Sequence, residues 1–215
     1  MSRRTWTVAL PLIAVLGLTA AFAGGWATIT VENLPDYIIA RQPTNLTFSV
    51  RQHGLRLMDE VSPSIEARSA DNAYEARAVP TNRAGYYTAK LDLPATGQWA
   101  ITIKSGWGAS NVTLLPIASV ESVGHVPVTF TDAQRGHRLF VAKGCLSCHT
   151  HARVAQSGQY KVGPDLTERG LAGEYLARFL ADPSVKKTWT TEARMPNLNL
   201  KPAEINALVA FLNGH

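Results

Sequence analysis

Two hydrophobic periods divide the chain. From Trp26 to Leu115, apolar and polar residues alternate in short runs: Trp26–Val31, Leu46–Val50, Ser64–Arg68, Tyr74–Val79, Tyr86–Leu91, Trp99–Lys104 and Asn111–Leu115. Pro43, Pro63, Asp71-Asn72, Asn82, Pro94 and Gly97 punctuate them. Period two places alternate side chains on opposite faces, and short strands spaced by turn residues predict an all-β, Ig-like sandwich over residues 24–116. With no cysteine in that span, Trp99 is the expected core filler. Beyond residue 128 the period lengthens to that of a helix. Thr131-Asp132-Ala133-Gln134 is a capping box opening a helix through Gly136, Leu139 and Phe140 that ends before Gly144. Leu171–Ala181 is a second helical pattern, stopped by Asp182-Pro183. Pro202 opens a third, with Ile205, Leu208, Val209 and Leu212 on one face. Residues 128–215 therefore read as an all-α domain. Ile117–Pro127, between the two, reads as a linker that lets them reorient.

The first 23 residues belong to neither pattern. Arg3-Arg4 precede an uncharged apolar stretch, Trp6–Ala23, closed by Ala21-Phe22-Ala23. A charged start, an apolar core and a small-x-small end predict a secretory signal peptide. The stretch is also close to the roughly 20 residues that span a bilayer. Uncleaved, residues 6–23 would anchor the protein to the membrane. Either way the remainder is expected in the periplasm or on the outer face of the cytoplasmic membrane.

Charge narrows the partners. The formal net charge is +5. Residues 128–215 hold 11 Lys/Arg against 7 Asp/Glu, whereas residues 24–127 hold 8 against 9. The basic residues are dispersed, with no basic run and no nucleic-acid motif, so nucleic acid is not the expected partner. A basic rim that steers an acidic redox protein fits better.

The chemistry is concentrated in Cys145-Leu146-Ser147-Cys148-His149, which holds both cysteines of the chain. Cys-x-x-Cys-His is the attachment pattern of haem c. Two thiols at this spacing can each bond one vinyl group, and the adjoining imidazole can then ligate the iron. A thioredoxin-like pair would need a surrounding βαβ pattern. Structural zinc would need four ligands, for which His151 is the available extra one. In the sandwich, His53 and Met58 in the connection Gln52–Pro63 could supply soft ligands to Cu(I), but two ligands make a poor site.

The capped helix, Gly136, Phe140 and the pentapeptide resemble a mono-haem class I cytochrome c. That resemblance implies one covalent haem c, with the last helix crossing at Gly136. It also implies Met195, in Ala193-Arg194-Met195-Pro196, as the sixth ligand opposite His149. Gly163-Pro164-Asp165-Leu166 resembles the family's proline turn, whose Pro164 carbonyl would orient His149. Trp189 and Arg194 are the expected propionate contacts. His137, on the first helix, is expected to face solvent. The Pro43–Phe48 stretch and the Leu93-Pro94 to Ile103 run resemble periplasmic Ig-like modules of the YtkA/FixH type, which implies a respiratory setting. The function expected is single-electron transfer rather than catalysis, in a respiratory or photosynthetic chain. A terminal oxidase, a reaction centre or a dehydrogenase would be the partner. The alternatives are a copper-handling or assembly module with the cytochrome as its redox aid, and a haem enzyme or gas sensor with a labile sixth position.

Overall fold

The computed structural model describes residues 25–125, 129–155, 157–188 and 194–214. The signal or anchor segment and Trp189 lie outside them. Two sheets pack face to face. One is β1 (Ala27–Val31), β3 (Thr44–Gln52), β8 (Tyr86–Leu91) and β7 (Val79–Pro80), with β4 (Arg56–Leu57) also on β3. The other runs β2 (Tyr37–Ile39), β11 (Ile117–Val120), β9 (Gly97–Lys104), β5 (Ser64–Arg68) and β6 (Ala73–Arg77), with β10 (Asn111–Thr113) also on β9. The alternation is realised residue by residue on β9, where Trp99, Ile101 and Ile103 are buried and Ala100 and Lys104 are exposed. Trp99 is fully buried, and its indole N–H donates to the Ala95 carbonyl at 3.1 Å, which satisfies its one polar atom.

The sandwich extends past the boundary that the sequence pattern suggests. Ile117–Val120 is not linker. It forms β11, antiparallel to β9 and parallel to β2, with Ile117 fully buried. Both β2 and β11 are too short for a period to show. Their pairing joins residues about eighty positions apart and is invisible to any local window.

The helical region comprises α1 (Asp132–Ala142), the single turn α2 (Cys145–Cys148), α3 (Gly173–Ala181) and α4 (Pro202–Asn213). The capping box at α1 is formed: the Thr131 hydroxyl accepts from the Gln134 N–H at 3.2 Å, and Gln134 Oε1 accepts from the Thr131 N–H at 2.9 Å. α1 and α4 cross at Gly136, where a Cβ would stand 2.0 Å from the Ala207 carbonyl oxygen and 2.6 Å from the Phe211 Cβ. Only a residue without a side chain permits this approach. α4 is buried on a wider arc than its predicted face: Ala207 and Phe211 meet α1, while Leu208 and Leu212 turn toward a cavity.

The two halves are joined by a dense seam rather than free to reorient. Lys143, almost fully buried, donates to the Glu32 carbonyl at 2.8 Å and pairs with Glu204 at 2.7 Å. The Thr30 hydroxyl donates to the Lys143 carbonyl at 3.3 Å. Arg135 pairs with Asp36 at 2.6 Å, and Arg138 donates to the Pro116 carbonyl at 2.8 Å. The Lys143–Glu204 pair lies within the helical half; the other bonds join the two halves, and Thr30, Lys143 and Arg138 make theirs from buried positions.

Candidate haem site

The chain reverses sharply between α1 and α2. Gly144 adopts φ +77°, a left-handed conformation that costs glycine little. That turn delivers Cys145 and Cys148 to one side of an apolar cavity. Phe140, Leu166, Leu171, Leu176, Leu208 and Leu212 are among its walls, and Cys145, Cys148, His149, Pro164, Arg194 and Met195 line it together. Every site residue expected from sequence thus shares this one cavity except Trp189, which lies outside the described residues.

His149 is held in a defined orientation. Its Nδ1 is 2.9 Å from the Pro164 carbonyl oxygen, so Nδ1 carries the proton and donates. Nε2 then keeps its lone pair. The ring lies over Gly163, where a Cβ would approach Nδ1 and Cε1 to 2.6 Å. Burial pushes the imidazole below its ordinary range, the Pro164 bond opposes that shift, and nearby Arg169 reinforces it. The neutral ring is the form that ligates a metal.

Both cysteine thiols are free. Burial pushes Cys145 up to about 12 and Cys148 up to about 11. Reactive redox cysteines and zinc thiolates depend on the opposite shift. His151 does not complete a zinc set. Its ring is buried against Phe211, with centroids 4.6 Å apart, and edge-on to Phe140 at 5.7 Å. Among the described residues no group of three or more His, Cys, Asp or Glu could hold a metal ion. His137 does not face solvent freely as expected; it is half-buried and stacks on the same cluster, 5.0 Å from Phe211 with planes 3° apart. The ring is flat and apolar enough to cover Phe211 at little cost.

His53 and Met58 face different surroundings. Met58 packs in the sandwich core, its carbonyl accepting from the Tyr87 hydroxyl at 2.9 Å, while His53 lines the cavity that holds the cysteines. Sequence reasoning missed four wall residues from the sandwich: Thr28, Thr30, His53 and Gly54. It also missed three cations that line the cavity along with Arg194: Arg169, Lys186 and Lys143, the last already paired with Glu204. The basic excess of this half was the only signal for the cations, and it gave no positions.

The residues present suit a covalent haem c. Two thiols, one oriented neutral imidazole and one thioether converge on an apolar chamber, and Arg169, Lys186 and Arg194 offer positive charge for two propionates.

The family model of cytochrome C oxidase, cbb3-type, subunit III, matches residues 131–212. The helical C-terminal region of this chain thus matches a cytochrome c domain, following an all-β sandwich. No curated protein matches the chain. Among solved structures, the Lin-41 filamin domain is similar at 14% identity and TM-score 0.34, over 44% of this chain and 89% of that one. Domains 4 and 5 of the S-layer protein SbsC are similar at 20% identity and TM-score 0.32, over 43% of this chain and 51% of that one. Superoxide reductase (neelaredoxin) from Ignicoccus hospitalis is similar at 16% identity and TM-score 0.30, over 43% and 79% respectively. At this level the likenesses carry no argument, and the sandwich stands on its own strand pairing.

Proposed function

We propose that this protein is an exported carrier of single electrons in a respiratory chain, with one haem c bonded to Cys145 and Cys148 and ligated by His149 and Met195. The observation that carries the reading is the His149–Pro164 bond of 2.9 Å. It leaves the free nitrogen of an oriented, neutral imidazole in the cavity shared by both thiols and Met195. A haem bound there supplies the Fe(III)/Fe(II) couple, and Met as sixth ligand raises its potential relative to a second imidazole. The chain's own part is to orient and to exclude water. Pro164 fixes the ring of His149, Phe140 and the leucines keep the chamber apolar, and Arg169, Lys186 and Arg194 balance the propionates. The redox partner is a terminal oxidase in this reading, supported by the cbb3-type family match of the domain. Kinship of the sandwich with YtkA/FixH-type modules belongs to the same reading and is supported by the Pro43–Phe48 and Leu93–Ile103 stretches.

Mass spectrometry of the native protein tests this directly. The expected mass is that of the chain plus one covalent haem, and the same spectrum reports cleavage after Ala23. The oxidised protein should show the long-wavelength charge-transfer band of Met–Fe(III) ligation. Absence of that band, with ready CO binding to the reduced form, would point to a haem enzyme or gas sensor instead.

A further inference from the structure

Strand β1 is buried along its entire length. A strand with one face on a core buries alternate residues only. Ala27, Ile29 and Val31 fill the sandwich core, and Thr28 and Thr30 line the cavity of the cytochrome domain. The turn after β3 continues that wall. A Cβ at Gly54 would lie 4.0 Å from the Cys148 sulfur and 3.8 Å from the Trp26 ring. His53 takes φ +51°, a left-handed conformation that residues with a side chain rarely adopt. It sets the imidazole against Trp26, with centroids 5.4 Å apart. Trp26 stacks in turn on Tyr160 of the cytochrome domain, at 4.2 Å with planes 16° apart. The Tyr160 hydroxyl lies 3.1 Å from Ser110 Oγ, which also accepts from the Ala27 N–H at 2.9 Å.

Resting on the haem reading above, we infer that the sandwich is one wall of the haem site. Thr28 and His53 are positioning residues that cover the edge bonded to Cys148, Trp26 buttresses His53 from behind the cavity lining, and a redox partner reaches that edge across the sandwich rather than at a bare rim. This gives the first domain a physical task. Water kept from one edge of the macrocycle disfavours the more highly charged oxidised state, so the wall raises the potential. It also slows reduction by small hydrophilic agents arriving from that side. The Trp26–Tyr160 stack braces that wall from both domains without lining the cavity itself.

The test uses the full, haem-loaded chain and three variants: W26A, W26F and H53A. Midpoint potential is read by redox titration, and access by the rate of reduction with ascorbate. W26A should lower the potential and accelerate ascorbate reduction several-fold. W26F, which keeps a ring over Tyr160, should stay at the parent values for both. H53A changes an exposed side chain and spares the fold, and should shift both readouts in the direction of W26A by less. If W26A and H53A carry covalent haem yet leave potential and rate at parent values, the sandwich is no wall, and the electron-carrier reading stands without it. If the parent chain matures without haem on Cys145 and Cys148, that reading fails and takes this inference with it.

Discussion

Gly136 on α1 lies against the backbone of Ala207 on α4, so closely that a Cβ would come within 2.0 Å of the Ala207 carbonyl oxygen. The obstacle is backbone rather than a side chain that could swing aside. The helices must therefore separate to admit even a methyl group, which disturbs Phe140 and Phe211 at the crossing, now 5.6 Å apart. Overpacking ordinarily costs about 1–3 kcal/mol. G136A should lose about 3 kcal/mol in guanidinium unfolding of the haem-loaded protein. A loss under about 1 kcal/mol would mean that the crossing yields easily.

Gly163 makes a separate demand. G163A would push a methyl group into the His149 ring, because a Cβ at this position would stand 2.6 Å from both Nδ1 and Cε1. Covalent haem should still attach through the cysteines, while the His149–Pro164 bond is lost. The expected sign is a change in the visible spectrum toward weaker axial ligation, with haem still bonded by mass. An unchanged spectrum would show that Gly163 does not constrain the ring.

At the other ligand, M195A should open the sixth position, so that the reduced protein binds CO where the parent does not. M195H should close it again at a lower potential, because imidazole stabilises Fe(III) relative to a thioether. A parent that binds CO as readily as M195A would remove Met195 from the ligand set.

The buried Lys143–Glu204 pair, within the helical half, predicts a large single-variant effect. Lys143 is 3% exposed and Glu204 14%. K143M should destabilise the protein by about 3–5 kcal/mol, since it strands Glu204 without its partner. The double variant K143M/E204L should recover a good part of that loss in a double-mutant cycle. Additive losses would show that the pair is not coupled.

The apoprotein should lose stability in mild acid. Burial holds His137 and His151 below the ordinary imidazole range, and Arg153 lowers both further. The folded state thus keeps them neutral while the unfolded chain takes up protons near pH 6.5. The unfolded state binds more protons, so stability rises with pH, is fully present above about 6.5 and falls as pH drops through it. Urea midpoints at pH 7 and pH 5 check the sign, and H137Q should flatten the dependence. An equal fall in H137Q would assign the effect elsewhere.

Much of this protein was legible in one dimension. The Thr131–Gln134 cap, the Asp182-Pro183 stop and the alternation on β9 are short-range devices, and each is found where the pattern places it. The pentapeptide carries its chemistry in its spacing. The gathering of Met195 and Pro164 with it was legible through family resemblance alone, since some fifteen to fifty residues separate them. His137 was misjudged because a helix face says nothing about which aromatic ring will arrive to cover it.

By itself, the sequence determined the two classes of domain, the thiols and imidazole of the candidate site, and the helix ends, because period, caps and spacing act between near neighbours. Tertiary structure alone decided that Ile117–Val120 is a strand, that β1 is buried on both faces, and that Gly54 stands beside Cys148 with His53 on the same cavity. Those outcomes rest on contacts between residues tens to more than a hundred positions apart. Thr28 and Thr30 would suit solvent as well as they suit an interface. Only the arrival of Lys143, Gly144 and Cys148 across the seam makes them wall.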